Sequence, residues 1–266
     1  MSGSSSDELF SSRSKVVLNC GNIASWSKIK KKALLTSTGE LVSAIENTLI
    51  SYSGSQKPNP LPDELAVVRS AGLAQTIPPD ERENLTITLK VFPSAWDPNE
   101  ITQAVDTSLV ELGINAVDTL ILAPPSCQGQ DKTMENIQKL WKGVEESAMQ
   151  KKMSVVGVAD LDKKELEELF NWAKVKPRIN QVNLAHCCTI PEDLAQYCKE
   201  VDIKLFTHND DRCLLPPESL QETMRNTLKV GENWSCGWVS RYNSIINLRG
   251  IVSHKGYLVE LNKVSQ

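Results

Sequence analysis

From Leu85 to Asp210 the chain alternates short apolar runs with amphipathic stretches of helical period, and this alternation constrains its fold more than any other feature. LTITLKVF (Leu85 to Phe92) is rich in β-branched residues and apolar on both faces, as a strand buried in a parallel sheet should be. Asp97 with Glu100 reads as a capping box around Pro98 at the first helical position, and Ile101, Val105, Leu109 and Leu112 recur at helical spacing until Gly113. AVDTLILA (Ala116 to Ala123) is the next strand, followed by a helix from about Thr133 to Gln150. MSVVGVA then leads to a second box, Asp162 with Glu165, where Leu161 and Leu166 are spaced as a hydrophobic staple. INQVNL is a strand, Thr189 with Glu192 reads as the next cap, and DIKLFTH (Asp202 to His208) is a strand again. Five strands joined by four crossover helices predict a parallel sheet with right-handed connections.

Neither G-x-G-x-x-G nor G-x-x-x-x-G-K-[ST] occurs, which disfavours an open nucleotide-binding sheet. A length of 266 residues suits a single (β/α)8 TIM barrel. In that reading VVLNCGN is the first strand, a helix runs from about Glu40 to Ser51, and GIVSH supplies the last strand. The N-terminal quarter is divergent: YSGSQKPNPLPDE reads as loop, and no second strand is evident between Tyr52 and Asn84. Residues 1–14 are serine-rich and read as a flexible tail; residues 15–266 read as one barrel domain, truncated at its C-terminus.

A net charge of -4 and a pI near 5.6 give no bulk reason to bind nucleic acid or an anionic membrane. Lys28, Lys30, Lys31 and Lys32 fit a solvated loop better than an import signal or anion patch. No stretch is apolar enough to span a membrane and the N-terminus has no signal-peptide core, so a cytoplasmic location is expected. The seven cysteines form no C-x-x-C pair and read as reduced thiols. His186, Cys187 and Cys188 are consecutive, and neighbours on an extended chain point to opposite sides. A metal site built from them with His208 or Cys213 is therefore not expected.

In a parallel barrel, function gathers at the carboxyl ends of the strands, here Lys90, Ala123, Ala159, Asp160, His186 to Cys188 and Thr207 to Asp210. With SVVGVADLDKKELEELF and RINQVNLAHCC, the stretches from Leu85 to His208 and from Trp238 to Tyr257 resemble the aldo-keto reductases. That family reduces carbonyls with NADPH, using a tyrosine acid, a lysine, an aspartate and a histidine. The resemblance places Lys90 as the lysine and Ala123 at the histidine position, where the side chain can neither donate nor accept a hydrogen bond. It finds no counterpart of the aspartate and tyrosine between Tyr52 and Asn84, and Tyr52 lies in a loop-like Ser-Gly-Ser context. On the cofactor side, Ala159 and Asp160 replace Ser-Asn, Gln181 is kept, and Phe206 replaces a stacking tyrosine. Lys255 in SHKGY resembles the lysine of a phosphate-binding turn, with His254 in place of proline. The resemblance thus implies no intact cofactor site, while leaving room for weak residual NADPH binding.

VKPRINQVNLAHCC, DIKLFTHND and RGIVSHKGYLV, and more loosely NCGNIASWSKIKKK, resemble the regulatory (modifier) subunits of glutamate–cysteine ligase. That family implies a noncatalytic heterodimer partner of the catalytic subunit, one that improves glutamate use and relieves feedback inhibition by glutathione. The alternatives are a divergent NADPH-dependent reductase working through Lys90, or an NADPH-binding sensor without turnover. For partner contact the carboxyl-end face is the natural surface, with Trp234 and Trp238 as anchor types; Trp238 otherwise starts the last barrel helix. Cys187, Cys188 or Cys213 is a candidate for a redox-sensitive disulfide to the catalytic subunit, against the plainer reading of small buried hydrophobes.

Overall fold

The computed structural model describes residues 9–10, 12–25, 36–52, 66–127, 131–184, 189–228 and 234–264. The chain opens with β1 (Lys15–Asn19), α1 (Ser37–Tyr52), β2 (Ala66–Arg69) and the short α2 (Pro79–Arg82). β2 is the second strand that the sequence concealed: AVVR is too short to show an alternation. Tyr52, read as loop, ends α1 and is buried.

The alternating region then follows as expected, with β3 (Leu85–Pro93), α3 (Pro98–Leu112), β4 (Val117–Leu122), α4 (Met134–Met149), β5 (Met153–Ala159), α5 (Lys163–Trp172), β6 (Ile179–Asn183), α6 (Glu192–Glu200) and β7 (Lys204–His208). β3 to β7 pair in parallel in chain order. Asp162 and Glu165 form the reciprocal capping box, and Leu161 and Leu166 beside it are buried. Gly113 ends α3 in the left-handed conformation, φ 67°. The other two caps differ. α6 begins behind Pro191, which makes no side-chain cap bond, because proline has displaced the start two residues beyond Thr189. Asp97 does cap α3, accepting the Asn99 N–H, but Glu100 turns away from it.

Glu100 instead accepts the N–H groups of Ser94 at 2.7 Å and Ala95 at 3.2 Å, clamping the loop that follows β3. Burial pushes its carboxyl up to about 7 in spite of these bonds. A raised acid binds its proton more tightly folded than unfolded, so stability falls as pH rises from about 4.5 to about 7. Glu100→Gln is expected to remove that slope. In thermal denaturation the variant should gain on wild type at about pH 8 and lose the advantage at about pH 4.5; parallel profiles would contradict this.

After β7 come α7 (Pro217–Leu228), β8 (Trp234–Ile246) and β9 (Ile251–Lys263). The described strands form one sheet in the order β2-β1-β9-β8-β3-β4-β5-β6-β7. β8 and β9 are an antiparallel hairpin inserted between β1 and β3, and β1 and β2 therefore run opposite to β3–β7. This corrects two readings, that of GIVSH as a last barrel strand in the parallel set and that of Trp238 as the start of the last barrel helix. Trp238 is a β8 residue and, like Trp234, is fully buried, so neither is an exposed anchor. The physical reason is that both faces of β8 are covered: Trp238 and Tyr242 join the core shared with α3, while Trp234 and Val239 join the core shared with α1 and α7. That second core also takes in Leu9 and Phe10, whose ring meets Trp234 edge-on at 5.4 Å. The tail reading of residues 1–14 fails at these positions, since two large apolar side chains find a core to enter. Lys28 and Lys30 to Lys32 lie outside the described residues.

Laid flat, β3 and β7 would stand four strand spacings apart, roughly 19 Å. Yet Lys90 of β3 and His208 of β7 contact the same carboxylate oxygen, at 2.8 and 3.1 Å. The parallel strands therefore curl like the staves of a barrel, which brings their carboxyl ends together. In the described ladder β2 and β7 are the edges.

Candidate functional site

Lys90 and Arg241 sit directly opposite each other in the β3–β8 ladder. Like charges so placed repel, and here both are withdrawn from water, their side chains 3% and 13% exposed. Asp210, just past β7, resolves the conflict. One of its oxygens accepts from Lys90 Nζ at 2.8 Å and Arg241 Nη2 at 3.0 Å, and Arg241 Nη1 reaches the other. Phe92 lies under both cations, its centroid 5.3 Å from Lys90 and 5.5 Å from Arg241. His208 extends the cluster, with Nδ1 3.1 Å from Asp210 and Nε2 3.0 Å from Asp160.

Burial disfavours charge on every member, and the pairings decide the outcome. Burial alone would raise Asp210; bonds from His208 and Arg241, with the Arg241 and Lys90 charges, hold it far below the usual carboxylate range instead. For His208 burial works against protonation, but the bonds to Asp160 and Asp210 lift its pKa above the ordinary value. Lys90 is drawn below its ordinary value by burial, which Asp210 only partly offsets. Asp160 is at the rim: its backbone is left-handed (φ 59°), its carboxylate accepts the Asn183 N–H at 3.0 Å, and its carbonyl accepts from Lys132 at 2.7 Å.

The Aldo/keto reductase family model matches residues 67–209. The "Glutamate--cysteine ligase regulatory subunit" of Mus musculus is 36% identical over 262 residues, covering 96% of this chain and 95% of that protein. Its Homo sapiens counterpart is 36% identical over 253 residues, covering 92% of each. The chain belongs to the aldo/keto reductase family, with the glutamate–cysteine ligase regulatory subunits. Its fold class is accordingly α/β with a mostly parallel sheet of the (β/α)8 type. Among solved structures, an aldo-keto reductase enzyme from a Medee basin deep-sea metagenome library aligns with a TM-score of 0.40 and 25% identity, covering 49% of this chain and 45% of that one.

Within this aldo/keto reductase scaffold, Ala123 and Ala159 pack with Ile121 and Ile179 in a small apolar cluster. Gln181 is half-buried, its Oε1 without a hydrogen-bond partner among the described residues, and Phe206 on edge strand β7 is 48% exposed. Lys255 is not in a turn but in β9, its Nζ 2.6 Å from the Glu40 carboxylate, which also accepts from Tyr257 Oη at 2.6 Å. A dinucleotide phosphate brought to Lys255 would meet that carboxylate, so the residues present do not fit this part of the cofactor. His186, Cys187 and Cys188 lie outside the described residues.

Cys213 is bonded to Cys127, with Cα atoms 4.7 Å apart. This corrects both the reduced-thiol reading and the proposal of Cys213 as a thiol for a partner. Their separation of 86 residues hides the pairing from any spacing argument, and only the curl of the sheet brings the loops after β4 and β7 together. Cys20 and Cys198 are buried thiols, pushed by burial to about 12 and about 11.

Arg241 was missed in the sequence. WVSRYNSII alternates as a strand does, and a charge inside such a run was the available signal for an inward-facing cation.

Proposed function

We propose that this chain is a noncatalytic regulatory subunit that binds a glutamate–cysteine ligase catalytic subunit in the cytoplasm, improves its use of glutamate and relieves feedback inhibition by glutathione. The carrying observation is the 36% identity to the mouse regulatory subunit across 96% of this chain. The site supports it. A reductase needs a proton delivered to its carbonyl at near-neutral pH; here Lys90 pairs with Asp210 opposite a second buried cation, and the Ala123 side chain has no polar atom with which to orient a carbonyl. Among the described residues no helix is long and apolar enough to cross a membrane.

The kinetic test is the rate of γ-glutamylcysteine synthesis by the catalytic subunit at varied glutamate, with and without this chain. A several-fold lower glutamate requirement and weaker inhibition by glutathione are expected. Unchanged kinetics at saturating chain would overturn the proposal. So would carbonyl-dependent NADPH oxidation that disappears in Lys90→Met, which would restore the reductase reading.

A further inference from the structure

We propose that the Cys127–Cys213 disulfide is a reversible redox latch, opened by small thiols or dithiols, which sets the order of the segment carrying Asp210 and Asp211. The inference rests on the sulfur pair and its surroundings; it takes from the proposed function only a thiol-containing cytoplasm. Structural disulfides are rare in such a compartment, where a disulfide is more often a sensing one.

Position makes the latch consequential. Residues 210 to 213 tie four parts of the molecule together in four successive positions. Asp210 holds Lys90 of β3 and Arg241 of β8. Asp211 accepts from the Thr38 N–H at 2.7 Å and the Ser37 hydroxyl at 3.1 Å, which satisfies one of the open N–H groups in the first turn of α1. Arg212 offers its carbonyl to the Ser126 hydroxyl. Cys213 adds its carbonyl to the Thr38 hydroxyl at 3.2 Å and its sulfur to Cys127. Of these ties, the only covalent one joins the segment to the loop after β4.

The bond is also reachable. Both cysteines are half-buried, and their neighbours Ser126 and Arg212 are exposed. By contrast, the thiols of Cys20 and Cys198 are buried. In the opening step an external thiolate attacks one sulfur and forms a mixed disulfide, while the other cysteine leaves as a thiolate and takes up a proton. A second thiol then resolves the mixed disulfide. Two cysteine thiols and one small-molecule disulfide result, two electrons having passed from the reductant to the protein. Closure is the reverse exchange with a small-molecule disulfide. Opening leaves the hydrogen bonds at Asp211 and Cys213 to hold the segment against α1, and local opening there becomes easier.

The test uses the full chain under native conditions, equilibrated in mixtures of reduced and oxidised dithiothreitol, then alkylated and mapped by mass spectrometry. Cys127 and Cys213 should become labelled together while Cys20 and Cys198 stay protected, and oxidised dithiothreitol should reverse the change. Amide hydrogen exchange in 37–40 and 210–213 should rise about tenfold on reduction, with β3 to β5 unaffected. Cys127→Ser and Cys213→Ser should each show the faster exchange without reductant and no further response to it. Labelling only on global unfolding would mark a structural staple and overturn the proposal. Labelling with unchanged exchange would overturn the coupling to residues 210–213, and a different cysteine pairing would overturn the latch itself.

Discussion

Asp210→Asn is expected to cost about 3–5 kcal/mol of folding stability, because it leaves two buried cations facing each other without the carboxylate that bonds to both. The substitution keeps the side-chain shape and removes only the charge. Lys90 and Arg241 stay opposite each other in the ladder, with side chains only 3% and 13% exposed to water. For a domain whose net stability is typically about 5–15 kcal/mol, the loss is a large fraction of the whole. Removing one cation as well should recover much of it. Lys90→Met/Asp210→Asn is therefore expected to be more stable than Asp210→Asn alone, which urea denaturation at constant m-value would measure. Additive losses would show that the pair is not coupled. The pH dependence carries the same signature. Asp210 is held below its ordinary value, so its contribution is present above about pH 3.8 and is lost as pH falls; the asparagine variant should have a flatter acid limb. His208, raised above 6.5, has the opposite sign, its contribution fading as pH rises through the raised value.

Gly256→Val is expected to cost about 4 kcal/mol or more and to leave little soluble protein. A Cβ at position 256 would fall 2.1 Å from the Gly21 carbonyl oxygen and 2.4 Å from Tyr242 Oη. Gly21 cannot yield easily. Its own φ is 69°, and a Cβ there would lie 2.1 Å from the Leu73 carbonyl carbon. Three backbone segments thus stack without side chains between them: β9, the end of β1 and the loop after β2. Gly250→Ala is the control, since position 250 has a positive φ but nothing within 4 Å of a Cβ. It should cost only about 1–2 kcal/mol, the backbone penalty alone. Denaturation midpoints that rank Gly250→Ala below Gly256→Ala would contradict the close-packing argument.

These two sites show what the sequence made legible. Local signals held where a single helix end decided the outcome, as in the reciprocal bonds of Asp162 and Glu165 and the left-handed Gly113. They failed where a neighbour overrode them: Pro191 moved the start of α6, and the loop N–H groups of Ser94 and Ala95 drew Glu100 away from its cap. The parallel strands β3 to β7 were readable because each carries its own apolar run. The β8–β9 hairpin was not, since nothing in RGIVSHKG states that its neighbours run antiparallel. Lys90 could be singled out from the resemblance, but its environment could not. Asp210 and Arg241 reach it only through the curl of the sheet and the β3–β8 register, and Cys127 finds Cys213 by the same curl. The resemblance singled out Lys255 in SHKGY, whereas the close backbone contact of its neighbour Gly256 had no signal in the sequence.

The proposal that this chain acts by binding a catalytic subunit rests on its 36% identity to the mouse regulatory subunit. The most direct measurement is size-exclusion chromatography, with mass determination, of an equimolar micromolar mixture of this 29.5 kDa chain and a glutamate–cysteine ligase catalytic subunit. The expected result is a single peak whose mass is the sum of one copy of each. Two separate peaks at the masses of the free proteins would contradict it.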